Sequence, residues 1–226
     1  NEGGDINAYY KGKRRSSFID SWCTSQVPAM QDLTLDGANQ KRQISKMKIF
    51  YPSEIANPND RKLMDTIQSA INRAIQGWTA DEKLQVFLIL GVSGGTGSGG
   101  IIDIAQLVRR VAPVGRTDII GVFYLPDSMP IYDNSIMANG YAALKELDYY
   151  VSARQRDDED KLFVNPVSDG ERPIIVRKGQ PLYDMPILVS GSVDGTGNAT
   201  EKYRETRGTA TEFIVNLLAE SENNQS

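Results

Sequence analysis

Gly91-Val92-Ser93-Gly94-Gly95-Thr96-Gly97-Ser98-Gly99-Gly100 decides how the rest of the chain is read. The apolar run Val86-Phe87-Leu88-Ile89-Leu90 before it has the length and composition of a buried strand. After it, Ile101, Ile104, Ala105, Val108 and Val111 recur at helical spacing, with Arg109 and Arg110 in the last turn, where cations suit the helix dipole. The order is strand, glycine loop, helix, with the helix expected over 101–112. Glycines let backbone amides approach an anion without Cβ interference, and Thr96 and Ser98 add hydroxyls at the positive end of the helix. That combination reads as a phosphate cradle.

Working outward, Leu63, Ile67, Ala70, Ile71, Ala74 and Ile75 share one side of a helix that Gly77 stops. On the other side, Pro113 and Gly115 break the chain, and Ile119 to Leu125 reads as a second buried strand. Strand, helix and strand at this spacing form a right-handed parallel βαβ unit. The fold class expected is α/β: a three-layer, Rossmann-like, mostly parallel sheet with helices on both faces. A helix over 139–151, a hairpin around Asp169-Gly170, a core strand over 186–190 and a final helix over 201–220 complete the pattern. That last helix is expected to bury Phe213, Ile214, Leu217 and Leu218. In open α/β sheets the loops at the carboxyl ends of strands carry the ligand. Asp127 and Asp133 are placed there to meet a sugar hydroxyl, and Asp194 or Asn198 to read a base.

Composition narrows the chemistry. With 40% hydrophobic and 24% charged residues in 226, the chain is an ordinary globular one, and its net charge of −4 supplies no field for nucleic acid. No apolar stretch approaches the ~18 residues of a membrane span. The lone Cys23 excludes an internal disulfide and fits a reducing cytoplasm. The absence of histidine removes Ser-His-Asp and Cys-His catalysis and the common zinc sites together. The acidic run around Asp157, Asp158 and Asp160 reads as an exposed turn, and the basic cluster Lys11-Gly12-Lys13-Arg14-Arg15 as a solvated loop, so no metal site is expected among protein side chains.

Three generic readings compete for the glycine loop. A Walker loop needs a terminal Gly-Lys-Ser/Thr, and no lysine occurs between Lys83 and Lys145. The dinucleotide pattern G-x-G-x-x-G fits Gly95, Gly97 and Gly100, with Asp127 slightly far on for its ribose contact. A structural turn without ligand is the third.

Ser93-Gly94-Gly95-Thr96-Gly97-Ser98-Gly99 resembles the glycine signature of the tubulin/FtsZ superfamily, Gly-Gly-Gly-Thr-Gly-Ser/Thr-Gly, at six of seven positions, Ser93 being the departure. Asp36-Gly37-Ala38-Asn39-Gln40-Lys41-Arg42-Gln43 is similar to the terminal-phosphate loop of divergent bacterial tubulin-like proteins, and Met137 to Leu144 to the Asn-Ala helix start after the ribose loop. The resemblance implies GTP or GDP as ligand, with Mg²⁺ accompanying the triphosphate. Gly94, Gly95, Thr96, Gly97, Ser98 and Gly99 would hold the α- and β-phosphates, and Gly37, Ala38, Asn39 and Gln40 the γ-phosphate side. Asp127 or Asp133 would lie by the ribose and Asn198 by the guanine. It further implies self-association into cytoplasmic filaments, with hydrolysis dependent on assembly. The family's first-strand glycine loop and the segments after its central helix are not visible, and the chain opens on Asn1, so an incomplete domain over 36–220 is expected. Residues 1–35 are unassigned and 221–226 form a polar tail. A scaffold that keeps the fold without hydrolysis and an NAD-binding oxidoreductase domain are the alternative readings.

Overall fold

The computed structural model describes residues 41–50, 63–79, 81–128, 133–151, 162–163, 174–175, 181–191 and 198–223. In chain order they form α1 (Arg42–Phe50), α2 (Leu63–Ala74), β1 (Leu84–Gly91), α3 (Gly95–Val111), β2 (Thr117–Tyr124), a 3-10 turn (Pro126–Ser128), α4 (Asn134–Val151), β3 (Leu162–Phe163), β4 (Ile174–Ile175), β5 (Met185–Val189) and α5 (Ala199–Asn223). β1, β2 and β5 make a sheet in that order. Both pairings are parallel, from Leu84 opposite Thr117 to Gly91 opposite Tyr124, and from Ile120 opposite Met185 to Tyr124 opposite Val189. The βαβ unit is as the sequence predicts. β3 and β4 pair antiparallel, Leu162 with Ile175 and Phe163 with Ile174, which suits the expected hairpin.

Side chains alternate across β2 because a strand's period is two. Ile119 and Phe123 enter the main core with Ile101, Ala105 and Val108 of α3 and Ala143 and Leu147 of α4. Val122 points the opposite way and, with Ile187 and Val189, floors a cavity of about 460 Å³ beneath α5. Helices therefore cover both faces of a parallel α/β sheet.

Five elements differ from the sequence reading. α3 begins at Gly95, inside the expected loop, and is buried on more than one side, because α1, α2, α4 and β1 all pack on it. α4 starts at Asn134 rather than 139, since Asp133 caps it: its Oδ1 accepts from the Ile136 amide at 2.9 Å and the Ser135 hydroxyl at 2.6 Å. Among the described residues β1 and β5 are outer strands, and Ile89 (51%), Met185 (47%) and Leu188 (52%) stay exposed. α5 runs on to Asn223. Thr206, Thr209, Ala210 and Phe213 line the cavity between it and the sheet, yet Phe213 and Leu218 are exposed and Ile214 and Leu217 only half-buried.

The amino-terminal edge of the sheet is tied down by arginines. Arg109 donates to the carbonyls of Thr117 (2.8 Å) and Leu182 (3.3 Å) and pairs with Asp184 at 2.5 Å. Asp184 also accepts from the Ile119 amide at 2.6 Å. Arg116 donates to the carbonyls of Glu82 (2.8 Å) and Thr79 (2.7 Å) with its guanidinium over Trp78. Between these residues, Tyr183 stacks edge-on against Phe123 and donates its hydroxyl to the Ile101 carbonyl; burial pushes its phenol well above the usual range.

Candidate functional site

The opposite, carboxyl-terminal edge carries the glycine turn and Asp127. β1 ends at Gly91, the chain bends through Val92 and Ser93, and Gly94 caps α3 in an extended conformation (φ −81°, ψ 163°) with no side-chain cap. The first bond of the α3 ladder runs from the Ser98 amide to the Gly94 carbonyl at 3.2 Å. The amides of Gly95, Thr96 and Gly97 lie ahead of that ladder and point out of the helix's positive end.

Glycine is required here by close packing. A Cβ on Gly97 would fall under 3.0 Å from the Gly91 carbonyl oxygen. On Gly99 it would come within 2.8 Å of Ser45 Cβ and closer still to the Arg42 carbonyl oxygen. Glycine inside a helix costs roughly 0.5–1 kcal/mol relative to alanine. Tight seating against β1 and α1 offsets this, which is why the helix reaches back into a stretch that local propensity reads as loop.

The two hydroxyls separate. Thr96 is exposed. Ser98 is fully buried and donates its hydroxyl to the Gly94 carbonyl within its own turn, the usual alternative for a serine in a helix. Ser93, where the family signature has glycine, is also fully buried. Its Oγ has no partner among the described residues, while its carbonyl accepts from Asn139 Nδ2 of α4 at 3.2 Å.

Asp127 lies just past β2, in the 3-10 turn, and accepts from the Ser190 hydroxyl at 2.5 Å, joining the ends of β2 and β5 on this edge. Asp133 is exposed at the start of α4; the Ser135 hydroxyl first, and then the Ile136 amide, hold its carboxyl below the usual range. Asn198 caps α5, its Oδ1 accepting from the amides of Thr200 (2.9 Å) and Glu201 (3.0 Å). Asp133 and Asn198 thus each have a capping duty that the sequence reading does not assign. Gly37, Ala38, Asn39 and Gln40 lie outside the described residues, as do Cys23, the 11–15 cluster, Asp157, Asp158, Asp160 and Asp194.

Charged residues from α1 and α4 surround the glycine turn. Arg42 donates Nε (3.2 Å) and Nη2 (3.0 Å) to the Ser98 carbonyl, and Nη2 also meets Glu146 of α4 at 2.5 Å. Ser45 Oγ donates to the Thr96 carbonyl at 2.8 Å. One turn on, Lys46 pairs with Asp103 of α3 at 3.0 Å. Burial pushes the Asp103 carboxyl up, and Lys46 pulls it partly back. Ser45 and Glu146 carry no role in the sequence reading; Arg42 enters it only as part of the 36–43 phosphate-loop pattern, and Asn139 only in the helix start that resembles the family's. Among the described residues no cluster of acidic side chains or cysteine suits a metal ion.

A family model described as tubulin like matches residues 5–222. No curated protein matches the chain.

Proposed function

Since the chain belongs to the tubulin-like family, we propose that its carboxyl-edge glycine turn binds a guanine nucleotide, GTP or GDP. The supporting observation is Gly94 to Gly99 themselves: an uncapped helix start whose Gly97 and Gly99 have no room for a Cβ. The residues present fit a phosphate-bearing ligand. First-turn amides converge with the helix dipole, and Ser93 Oγ is a buried hydroxyl in need of an acceptor or donor. In this reading Gly94, Gly95, Thr96, Gly97, Ser98 and Gly99 hold the α- and β-phosphates, Ser98 through its backbone. Gly37, Ala38, Asn39 and Gln40, which run up to the described Lys41, serve the γ-phosphate side. Asp127 and Asp133 serve the ribose side and Asn198 the base side.

Mg²⁺ would enter with the triphosphate, bridging phosphates rather than relying on a protein cage. The nucleotide-binding domain takes in residues 36–220. The chain self-associates into filaments in the cytoplasm, and hydrolysis follows assembly. No helix among the described residues is long and apolar enough to cross a membrane.

The test is thermal melting with GTP, GDP, ATP and NAD, each with and without Mg²⁺. Ligand at 100 times Kd stabilises by ~2.7 kcal/mol, a rise of several degrees for a chain of this size. A rise with guanine nucleotides alone is expected. A rise with NAD alone would hand the turn to a dinucleotide enzyme. No rise with any of the four would favour a scaffold, and light scattering with and without GTP then reports whether the scaffold still assembles.

A further inference from the structure

α1 reaches the glycine turn with side chains rather than by backbone packing alone. Two carbonyls of the first turns of α3, those of Thr96 and Ser98, accept from Ser45 and Arg42 in addition to their places in the helical ladder. The Arg42 guanidinium fork sits on Ser98 with two nitrogens and turns one of them to Glu146 of α4. Gly99 admits this approach, because any Cβ there would collide with Arg42 and Ser45.

A helix start built from Gly95, Gly97, Gly99 and Gly100 has high backbone freedom to lose and frays easily. Anion binding needs its amides fixed in one direction beforehand, since ordering them on binding subtracts from affinity. We propose that Arg42 and Ser45 are positioning residues for the nucleotide site, clamping the Ser98 and Thr96 carbonyls so that the Gly95–Gly97 amides stay aimed at phosphate. This rests on the nucleotide reading above. Arg42 acts through its fork geometry: a lysine retains the charge but cannot hold one carbonyl with two nitrogens and a carboxylate at once. Glu146 orients the fork from α4, and a glutamine there still accepts the Nη2 proton.

The experiment measures Kd for GTP and GDP with Mg²⁺ by titration calorimetry, alongside the unliganded melting temperature. The variants are Arg42→Lys, Arg42→Ala, Ser45→Ala and Glu146→Gln, with Arg116→Ala at the far edge of the sheet as a matched destabilised control. Arg42→Lys and Arg42→Ala are expected to weaken both nucleotides about tenfold, the worth of one or two hydrogen bonds. Ser45→Ala should weaken them several-fold. Glu146→Gln, which keeps the acceptor but loses its charge, should weaken them about twofold, less than Ser45→Ala, and Arg116→Ala should lower the melting temperature while leaving Kd unchanged. Wild-type Kd values for Arg42→Lys and Ser45→Ala would overturn the inference and leave the nucleotide reading standing. So would an affinity loss in Arg116→Ala equal to that in Arg42→Lys, because binding would then merely follow stability. No binding by the wild-type chain would overturn the nucleotide reading itself. Should Arg42→Ala fail to fold, Arg42→Lys and the milder Ser45→Ala still decide the matter.

Discussion

The two ends of the β1–β2–β5 sheet solve opposite problems with the same backbone. At the amino-terminal edge, Arg109 and Arg116 cover carbonyls of Thr117, Leu182, Thr79 and Glu82, and Asp184 closes the set. Each cation there points inward, onto the protein. At the carboxyl-terminal edge the helix start has no side-chain cap, Ser93 Oγ has no partner among the described residues, and glycine stands where nothing larger fits. Native structures rarely leave buried polar groups unpaired, and where they do an unmet partner is the first explanation to test. One edge turns its cations onto the protein itself, although Gln106 Nε2, three residues before Arg109 on α3, also has no partner among the described residues; the other leaves a helix start built to be completed. Changes at the first should therefore cost stability alone, and changes at the second should cost binding out of proportion to stability.

The largest effect is expected from Gly97→Val. Its branched side chain would drive into the Gly91 carbonyl and close the mouth of the turn. The nucleotide-induced rise in melting temperature should vanish, and overpacking should cost a further ~1–3 kcal/mol. Gly99→Ala makes the point more gently. In an exposed helix, glycine to alanine stabilises by up to ~1 kcal/mol, but here the sign should reverse, because the new Cβ meets Arg42 and Ser45. A higher melting temperature for Gly99→Ala would show that α1 is not seated on the turn.

Arg109→Ala probes the opposite edge. It removes three hydrogen-bonding arms and leaves the Asp184 carboxylate to the Ile119 amide. A loss of about 2–3 kcal/mol is expected, seen as a fall of several degrees in melting temperature. Nucleotide affinity in the folded protein should be unchanged. A parallel loss of affinity would erase the contrast between the edges.

Much of this contrast is legible in the sequence, and the missing part has a physical cause. The run Val86–Leu90, the glycines and the 101–111 periodicity announce the βαβ unit, because a parallel sheet leaves continuous apolar strands and a helix leaves a 3.6-residue repeat. The start of α3 is not legible, since glycine propensity argues for loop and only the tertiary contacts of Gly97 and Gly99 argue for helix. The capping duties of Asp133 and Asn198 do leave a signal: each immediately precedes a helical run. Their place at the ends of strands draws the sequence reading to ligand contacts instead. Arg42, Ser45 and Glu146 cannot be found from spacing, because their partners lie 51 to 104 residues away. The exposure of Phe213 and Leu218 escapes for a similar reason: periodicity names an apolar face but not what covers it.

Asp103 lies between the two edges, on the buried side of α3, and offers a titration as a probe. Burial holds its carboxyl above the ordinary value of 3.8, against the opposing pull of Lys46 and Arg42, while Glu146 adds to the rise. In the window from 3.8 upward the folded state binds more protons than the unfolded one, so this group's contribution to stability falls as pH rises and levels off above the raised value. Asp103→Asn should flatten that slope in urea melts run upward from about pH 4. Lys46→Gln should steepen it by removing the counter-charge. An unchanged slope in both would mean that the carboxyl is fully compensated where it sits.

The smallest effect, and the sharpest test of the comparison, is Gly94→Ser. A Cβ added at Gly94 would meet nothing within 4 Å, and the φ of −81° suits any residue. A serine there supplies the cap that α3 lacks, its hydroxyl accepting from an amide of the first turn. N-cap serine exceeds glycine by only a few tenths of a kcal/mol, so the unliganded protein should melt no lower, and about a degree higher. The same hydroxyl would occupy an amide that phosphate is proposed to use, so GTP and GDP should bind less tightly. Stability and affinity then move in opposite directions from a single added oxygen. Were the turn only a structural element, the variant would gain its cap and lose nothing, and the carboxyl edge would prove as self-sufficient as the amino edge.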